Sequence, residues 1–237
     1  GRIARLDPEA GLLWFGSARF LVIAAALILA GGLMMRSMPP VADLSLRSPR
    51  GAARRLLSDP GVRRILLFGF LANLAMQGPC QQLALILKAH GAEVRDVADT
   101  WRIPLVLEAV VIAFAWKLTQ WLGPAGLVRL GLLAECIRWT ASGLTDDLVM
   151  LQWLQLGHGI SVTGILIGIP MLLERDVARE LRSTAQALSA SIGNGVGAVL
   201  SNLLLGWALD HFDDGVPLLV AGFLQGGLLL ASLRWLR

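Results

Sequence analysis

Apolar residues run in long stretches along this chain, and polar residues collect at intervals between them. Seven stretches approach the roughly 20 apolar residues that a helix needs to cross a hydrocarbon core: 12–35, 65–87, 101–122, 124–144, 148–173, 183–205 and 216–235. Backbone groups in such an environment must be satisfied internally, and a helix does this within one segment. The pattern predicts an all-α, polytopic membrane bundle of about seven transmembrane helices. It divides the chain into 1–35, the last helix of a preceding bundle; 36–64, a basic cytoplasmic linker; and 65–237, a six-helix bundle. Trp101, Trp139, Trp153 and Trp207 fall near one set of stretch ends, Trp121 and Trp235 near the other. Interfacial aromatic belts require that arrangement.

Composition agrees. The chain is 55% hydrophobic and 16% charged, against about 25% charged for a soluble domain. The net charge of +4 is not spread as a groove-binding stripe, so nucleic acid is not expected as a partner. Bases gather instead between the apolar runs. Arg36, Arg47, Arg50, Arg54, Arg55, Arg63 and Arg64 lie in the linker, Arg175, Arg179 and Arg182 after the fifth run, and Arg234 and Arg237 at the end. Alternate connections carry Asp146 and Asp147, or Asp210, Asp213 and Asp214. Arginine enrichment marks cytoplasmic loops. The alternation therefore predicts a multi-pass protein of the cell membrane, a bacterial inner membrane, with its C-terminus in the cytoplasm and its N-terminus outside. An outside N-terminus that opens Gly1-Arg2-Ile3 without a signal-peptide pattern leads us to expect further chain upstream. Within the linker, 52–58 reads either as solvated chain or as a short amphipathic helix on an anionic leaflet. A weak echo of the Gly1 to Asp7 stretch at Gly206 to Asp210 suggests an internal repeat, a feature of transporters.

Four ionisable residues, Glu108, Glu135, Arg138 and His158, lie inside the apolar runs. A charge at the centre of a spanning helix costs about 2.5 to 3.5 kcal/mol on insertion scales, so such residues pair or face a cavity. At 1.5 Å of rise per residue, Glu108 and Arg138 have similar depth on successive helices, which predicts an ion pair. Glu135 shares a helical face with Arg138 and competes for it. His158 lies near the midplane between Gln155 and Ser161 and is a candidate for proton exchange. Asn73, Gln77 and Gln81 recur every four residues, and Gln186, Asn194 and Asn202 share a face. These amides are either interhelical hydrogen bonds or the lining of a polar cavity. Beside the second set, Ala185, Ser189, Gly193, Gly197 and Ser201 form a small-residue ridge for close helix packing. Lys117 and Arg129 read as snorkelling side chains. Cys80 and Cys136 fall inside runs and read as small apolar fillers. Zinc spacing, a phosphate-cradling loop and a serine elbow are absent from the sequence, so neither an enzyme nor a cofactor or metal is expected.

The sequence resembles the C-terminal half of a major facilitator superfamily transporter, in the branch of phenylpropionate, sugar and nucleoside symporters. The motifs that carry the likeness are Asp59-Pro60-Gly61, Trp101 ahead of Glu108, Arg138-Trp139, Gln155-Leu156-Gly157-His158, Ser183-Thr184-Ala185-Gln186, and Gly206 with Asp210. The resemblance implies helices six to twelve of that fold and proton-coupled symport of a small organic solute by alternating access. Its partners would be the solute, protons, the bilayer and the N-terminal half of the same transporter. In the lactose permease pattern an acid on helix eight, an Arg on helix nine and a His on helix ten look like Glu108, Arg138 and His158. That pattern also has an acid one turn after the His. Ser161 stands there in this chain, which moves proton carriage to Glu108 or Glu135. The competing expectation is a non-transporting membrane module that packs against a partner.

Overall fold

The computed structural model describes residues 50–236, together with Val22, Ala25, Ala26, Leu29, Ala30, Gly32 and Leu33. Most of the first apolar run, the echo at the N-terminus and the linker up to residue 49 lie outside the described residues. The seven described residues of the unit Gly1–Arg47 are helical.

The second unit is built from helices alone among its described residues. These are α1 (Ala52–Ser58), α2 (Pro60–Gln81), α3 (Leu83–Ala89), α4 (Val94–Ala113), α5 (Ala115–Ser142), α6 (Leu148–Asp176), α7 (Arg179–His211) and α8 (Gly215–Trp235). Their ends follow from local chemistry. Asp59 caps α2, its carboxylate accepting from the Gly61 and Val62 amides at 2.7 and 3.1 Å, with Pro60 in the first turn. Glu93 and Asp96 form a reciprocal capping box at the start of α4. The Asp147 carboxylate accepts from the Met150 amide at 2.9 Å and starts α6.

Each of the last six predicted runs contains helix, but the boundaries differ in three places. The run 65–87 is divided at Gln82, beyond Pro79, whose ring removes one backbone donor and disturbs the last turn of α2. The run 101–122 starts earlier, at Val94, and breaks at Phe114, where α4 and α5 meet at 76°. The expected change of span at Gly123-Pro124 is a break inside α5, with Gly123 at φ 67° and ψ 169°, a backbone position that favours glycine. By length and hydropathy three helices of the described chain suit a membrane crossing, namely α6, α7 and α8, and the bent α4 and α5 pair makes a fourth. The α2 helix is not among them: Arg63 and Arg64 occupy its first turns, and Asn73, Gln77 and Gln81 lower the hydropathy of the remainder.

Two buried clusters hold the bundle. Phe68 and Met76 of α2, Val128 and Leu132 of α5, Ile165 and Leu172 of α6, and Leu228 of α8 form one. Leu83 and Leu87 of α3, Trp139 of α5, Leu151 of α6 and Leu218 of α8 form the other. The small-residue ridge of α7 packs on α2: the Gly78 amide donates to Ser201 Oγ at 2.6 Å, and a methyl group at Gly78 would stand 2.7 Å from the Ser201 carbonyl oxygen. Only glycine allows that approach. Two stretches of π-helix interrupt the long helices, Thr163–Ile167 in α6 and Ala190–Gly197 in α7. Such turns are uncommon and recur at functional places.

Candidate functional site

The intramembrane charges form one connected cluster on α4, α5 and α6. Arg138 and Glu135 are buried, and the guanidinium donates to the Glu135 carboxylate one turn earlier on the same helix. The other Glu135 oxygen accepts from the Trp139 indole at 2.5 Å. From its second arm Arg138 donates to Gln155 Oε1 at 3.0 Å and lies 3.3 Å from His158 Nδ1; it also reaches Cys80 Sγ at 3.2 Å. The Gln155 amide is fixed in turn by the Leu151 carbonyl at 3.0 Å. The far side of the imidazole, Nε2, faces Glu108 Oε2 at 3.4 Å, and the Trp101 ring meets it edge-on at 5.1 Å.

This order corrects the expected Glu108–Arg138 pair. Glu135 takes the guanidinium because it is one turn away on the same helix, and His158 stands between Arg138 and Glu108. The imidazole can sit there because Gly159 follows it. A methyl group at Gly159 would stand 2.5 Å from the Glu108 Cα, so only glycine lets α6 touch the α4 backbone at this level.

The contacts assign the imidazole tautomer. A guanidinium has donors and no acceptor, so Nδ1 must accept from Arg138 and Nε2 carries the hydrogen that points to Glu108. A second proton on His158 would set N–H against N–H and break the Arg138 contact. Two buried atoms of the cluster lack a hydrogen bond among the described residues: Glu108 Oε2, whose approach to His158 is longer than a well-formed bond, and Arg138 Nε. Arg138 also borders a groove of about 360 Å³, with Ile137, Trp153, Leu154, Gly157 and Ile160 along its walls.

The amides of α2 are arranged differently. Asn73 donates to the Gly69 carbonyl at 2.8 Å, Gln77 to Asn73 at 3.1 Å, Gln81 to Gln77 at 3.0 Å, and Asn202 of α7 to Gln81 at 2.8 Å. Gln82 adds a bond to the Asn202 carbonyl at 2.8 Å. The result is a ladder in which each amide occupies the next. At its lower rung Asn73 shares a cavity of about 70 Å³ with Gln186 and Asn194, between the two π-helical stretches. Gln186 is held by the Pro170 carbonyl at 2.9 Å, and Asn194 is exposed. One water needs about 10–15 Å³ of such volume, so the cavity admits several. Glu108, Glu135, Arg138, Gln155 and His158 therefore form one group, and Asn73, Gln77, Gln186 and Asn194 another.

Three contacts were not read from the sequence, one of them replacing the snorkelling expected of Arg129. The Trp139 indole bond to Glu135 was legible as a spacing of four on one helix. His90 was not: it joins three loops by bonding Asp214 at 2.8 Å and the Asp146 carbonyl at 3.2 Å. Arg129 does not snorkel but donates to the carbonyls of Ser232 and Leu236 at 3.1 and 3.0 Å, closing the end of α8.

A bundle of apolar helices around buried charges is the architecture of a multi-pass membrane protein. The fold matches the crystal structure of the nucleoside transporter NupG with a TM-score of 0.71, at 16% identity over 91% of this chain and 60% of that one. The family model described as the MFS_1 like family matches residues 15–216, and the chain belongs to that family. It is also 28% identical over 208 residues to the maltose permease of Geobacillus stearothermophilus, which covers 83% of this chain and 50% of the permease. The chain thus spans about half the length of the curated relative it matches.

Proposed function

We propose that this chain is the C-terminal half of a secondary active transporter in the cell membrane, its C-terminus cytoplasmic, that couples proton entry to uptake of a small organic solute by alternating access. The observation that carries the reading is His158 bridging Glu108 to the Arg138–Glu135 pair. With His158 neutral, two carboxylates and one guanidinium leave the cluster with a net charge of −1. One proton on Glu108 brings it to zero. A neutral cluster is far cheaper to close off from water than a charged one, so a single proton gates the reorientation.

In this scheme Glu108 takes the proton, and His158 relays its state to Arg138. Arg138 then binds or releases solute through the groove it borders. Gln155 holds the guanidinium, and Asn73, Gln77, Gln186 and Asn194 line the polar path beside it. The solute class is an aromatic carboxylate, a sugar or a nucleoside. The maltose permease and the nucleoside transporter support the last two, and a guanidinium at the border of the groove supports the first.

In vesicles holding the intact transporter, Glu108→Gln imitates the protonated state. It should abolish solute accumulation driven by a pH gradient and preserve exchange of preloaded solute. His158→Gln should do the same, because exchange requires reorientation alone. Equal loss of both activities rejects the proton role. A chain that reaches the membrane and moves no tested solute alone or with its N-terminal half supports the non-transporting module instead.

A further inference from the structure

A second feature lies outside the charge cluster, where α1 meets α2. Leu57, Pro60, Leu66, Leu67, Phe70 and Ile192 enclose an apolar groove of about 620 Å³, and Arg63 and Arg64 stand on its border. Leu57 and Leu67 are 43% and 48% exposed, so the apolar wall is open from outside. The α1 helix packs on α2 and α7, burying Ala52 and Leu56 and leaving Arg54 and Arg55 outward.

The charges here are unbalanced. Arg50, Arg54, Arg55, Arg63 and Arg64 are all exposed, and none makes an ion pair or side-chain hydrogen bond among the described residues. The one acid between residues 50 and 64, Asp59, is engaged with the amides at the start of α2. Some exposed arginines elsewhere have partners: Arg95 and Arg102 share Asp99, and Arg175 pairs with Asp176, whereas Arg179 and Arg234 make no ion pair among the described residues but stand singly rather than as a group of five. An open apolar slot bordered by two free guanidiniums, with three more close by in sequence, has the complement of an acyl chain carrying an anionic head.

We propose that this groove is a binding site for an anionic phospholipid. One acyl chain lies along Leu57, Leu67, Phe70 and Ile192, and the headgroup phosphate is held by Arg63 and Arg64. Guanidinium is the side chain best matched to phosphate, giving paired hydrogen bonds where ammonium gives a point charge. Arg50, Arg54 and Arg55 on and beside α1 add attraction to the surrounding anionic surface. The lipid would fasten α1 onto α2.

The test uses the purified full chain in detergent, titrated with phosphatidylglycerol and with phosphatidylcholine of the same acyl chains, with bound lipid counted by native mass spectrometry. Phosphatidylglycerol should bind at least tenfold tighter. Arg63→Gln with Arg64→Gln should remove most of that preference, at roughly fivefold per arginine, and leave phosphatidylcholine binding unchanged. Arg63→Lys with Arg64→Lys should keep part of it. Filling the slot by Leu67→Trp should weaken both lipids, and Arg95→Gln with Arg102→Gln should change neither. Equal binding of the two lipids overturns the proposal, as does a preference that survives loss of both arginines. Inorganic phosphate competing equally well in the wild type and in Leu67→Trp would also overturn it, since that marks a free-anion site. If the double glutamine variant does not fold, the lysine pair and Leu67→Trp still decide the matter.

Discussion

Two polar chains run through the bundle, and they close their hydrogen bonds in opposite ways. Along α2 and α7 each amide gives a hydrogen to the next, from Asn202 through Gln81 and Gln77 to Asn73 and the Gly69 carbonyl. No rung carries a charge. On α4, α5 and α6 the chain from Glu135 through Arg138 and His158 to Glu108 carries three full charges, and two of its buried atoms lack a bond. A satisfied neutral ladder mainly specifies how two helices register. A charged chain with free valences can accept something, and it depends on every member for its own stability.

The comparison can be broken by mutation, and the largest effect is expected at Arg138. Arg138→Leu leaves Glu135 buried and unpaired, which costs about 3 to 5 kcal/mol. A fall in folded yield and in melting temperature should follow, and Glu135→Gln added to it should recover part of the loss. If Arg138→Leu is harmless by itself, the cluster is not the electrostatic unit described.

Next is Gly159→Ala. The added methyl meets the Glu108 backbone, and overpacking of that kind costs about 1 to 3 kcal/mol. It should separate Glu108 from His158 and depress accumulation more than exchange. A melting curve and a pH-driven uptake assay check the two parts independently.

His90→Ala should have a smaller effect, about 1 kcal/mol, because it removes two hydrogen bonds that tie the loops after α3, α5 and α7. Faster proteolysis at those loops, with the interior untouched, is the expected reading. The smallest effect belongs to the ladder. Gln81→Leu, which removes the bond from Asn202 of α7, should cost about 0.6 kcal/mol, the average for an interhelical polar contact in a membrane. A loss as large as that of Arg138→Leu would erase the distinction between the two chains.

Much of the fold was legible because a membrane span needs only length and apolarity. Gly123-Pro124 marked the break in α5, whereas the caps at Glu93 and Asp147 were not read from the sequence, and α4 starts at Val94, well before the expected run. The break at Phe114 was not legible, since no glycine or proline stands there. Within the site, sequence depth brought Glu108, Arg138 and His158 to one level but could not rank partners. Rank depended on whether α4 could touch α6, and that turned on a glycine beside His158. The Arg129 bond to the end of α8 was hidden for a related reason: proximity to an interface looks the same in sequence whether a side chain reaches for water or for a carbonyl.

The π-helical stretch Ala190–Gly197 bears on chain length as well as on shape. A π turn takes in a surplus residue without rotating the helix on either side, whereas one residue inserted into regular α-helix turns everything beyond it by about 100°. Ser201 and Asn202, past the stretch, still face Gly78 of α2 and Gln82 just beyond its end, while Ala185 before it stays buried. The surplus is taken up as a bulge between those two fixed points. This stretch is therefore the place in α7 where the chain can shorten by one residue and keep both of its contact faces in phase.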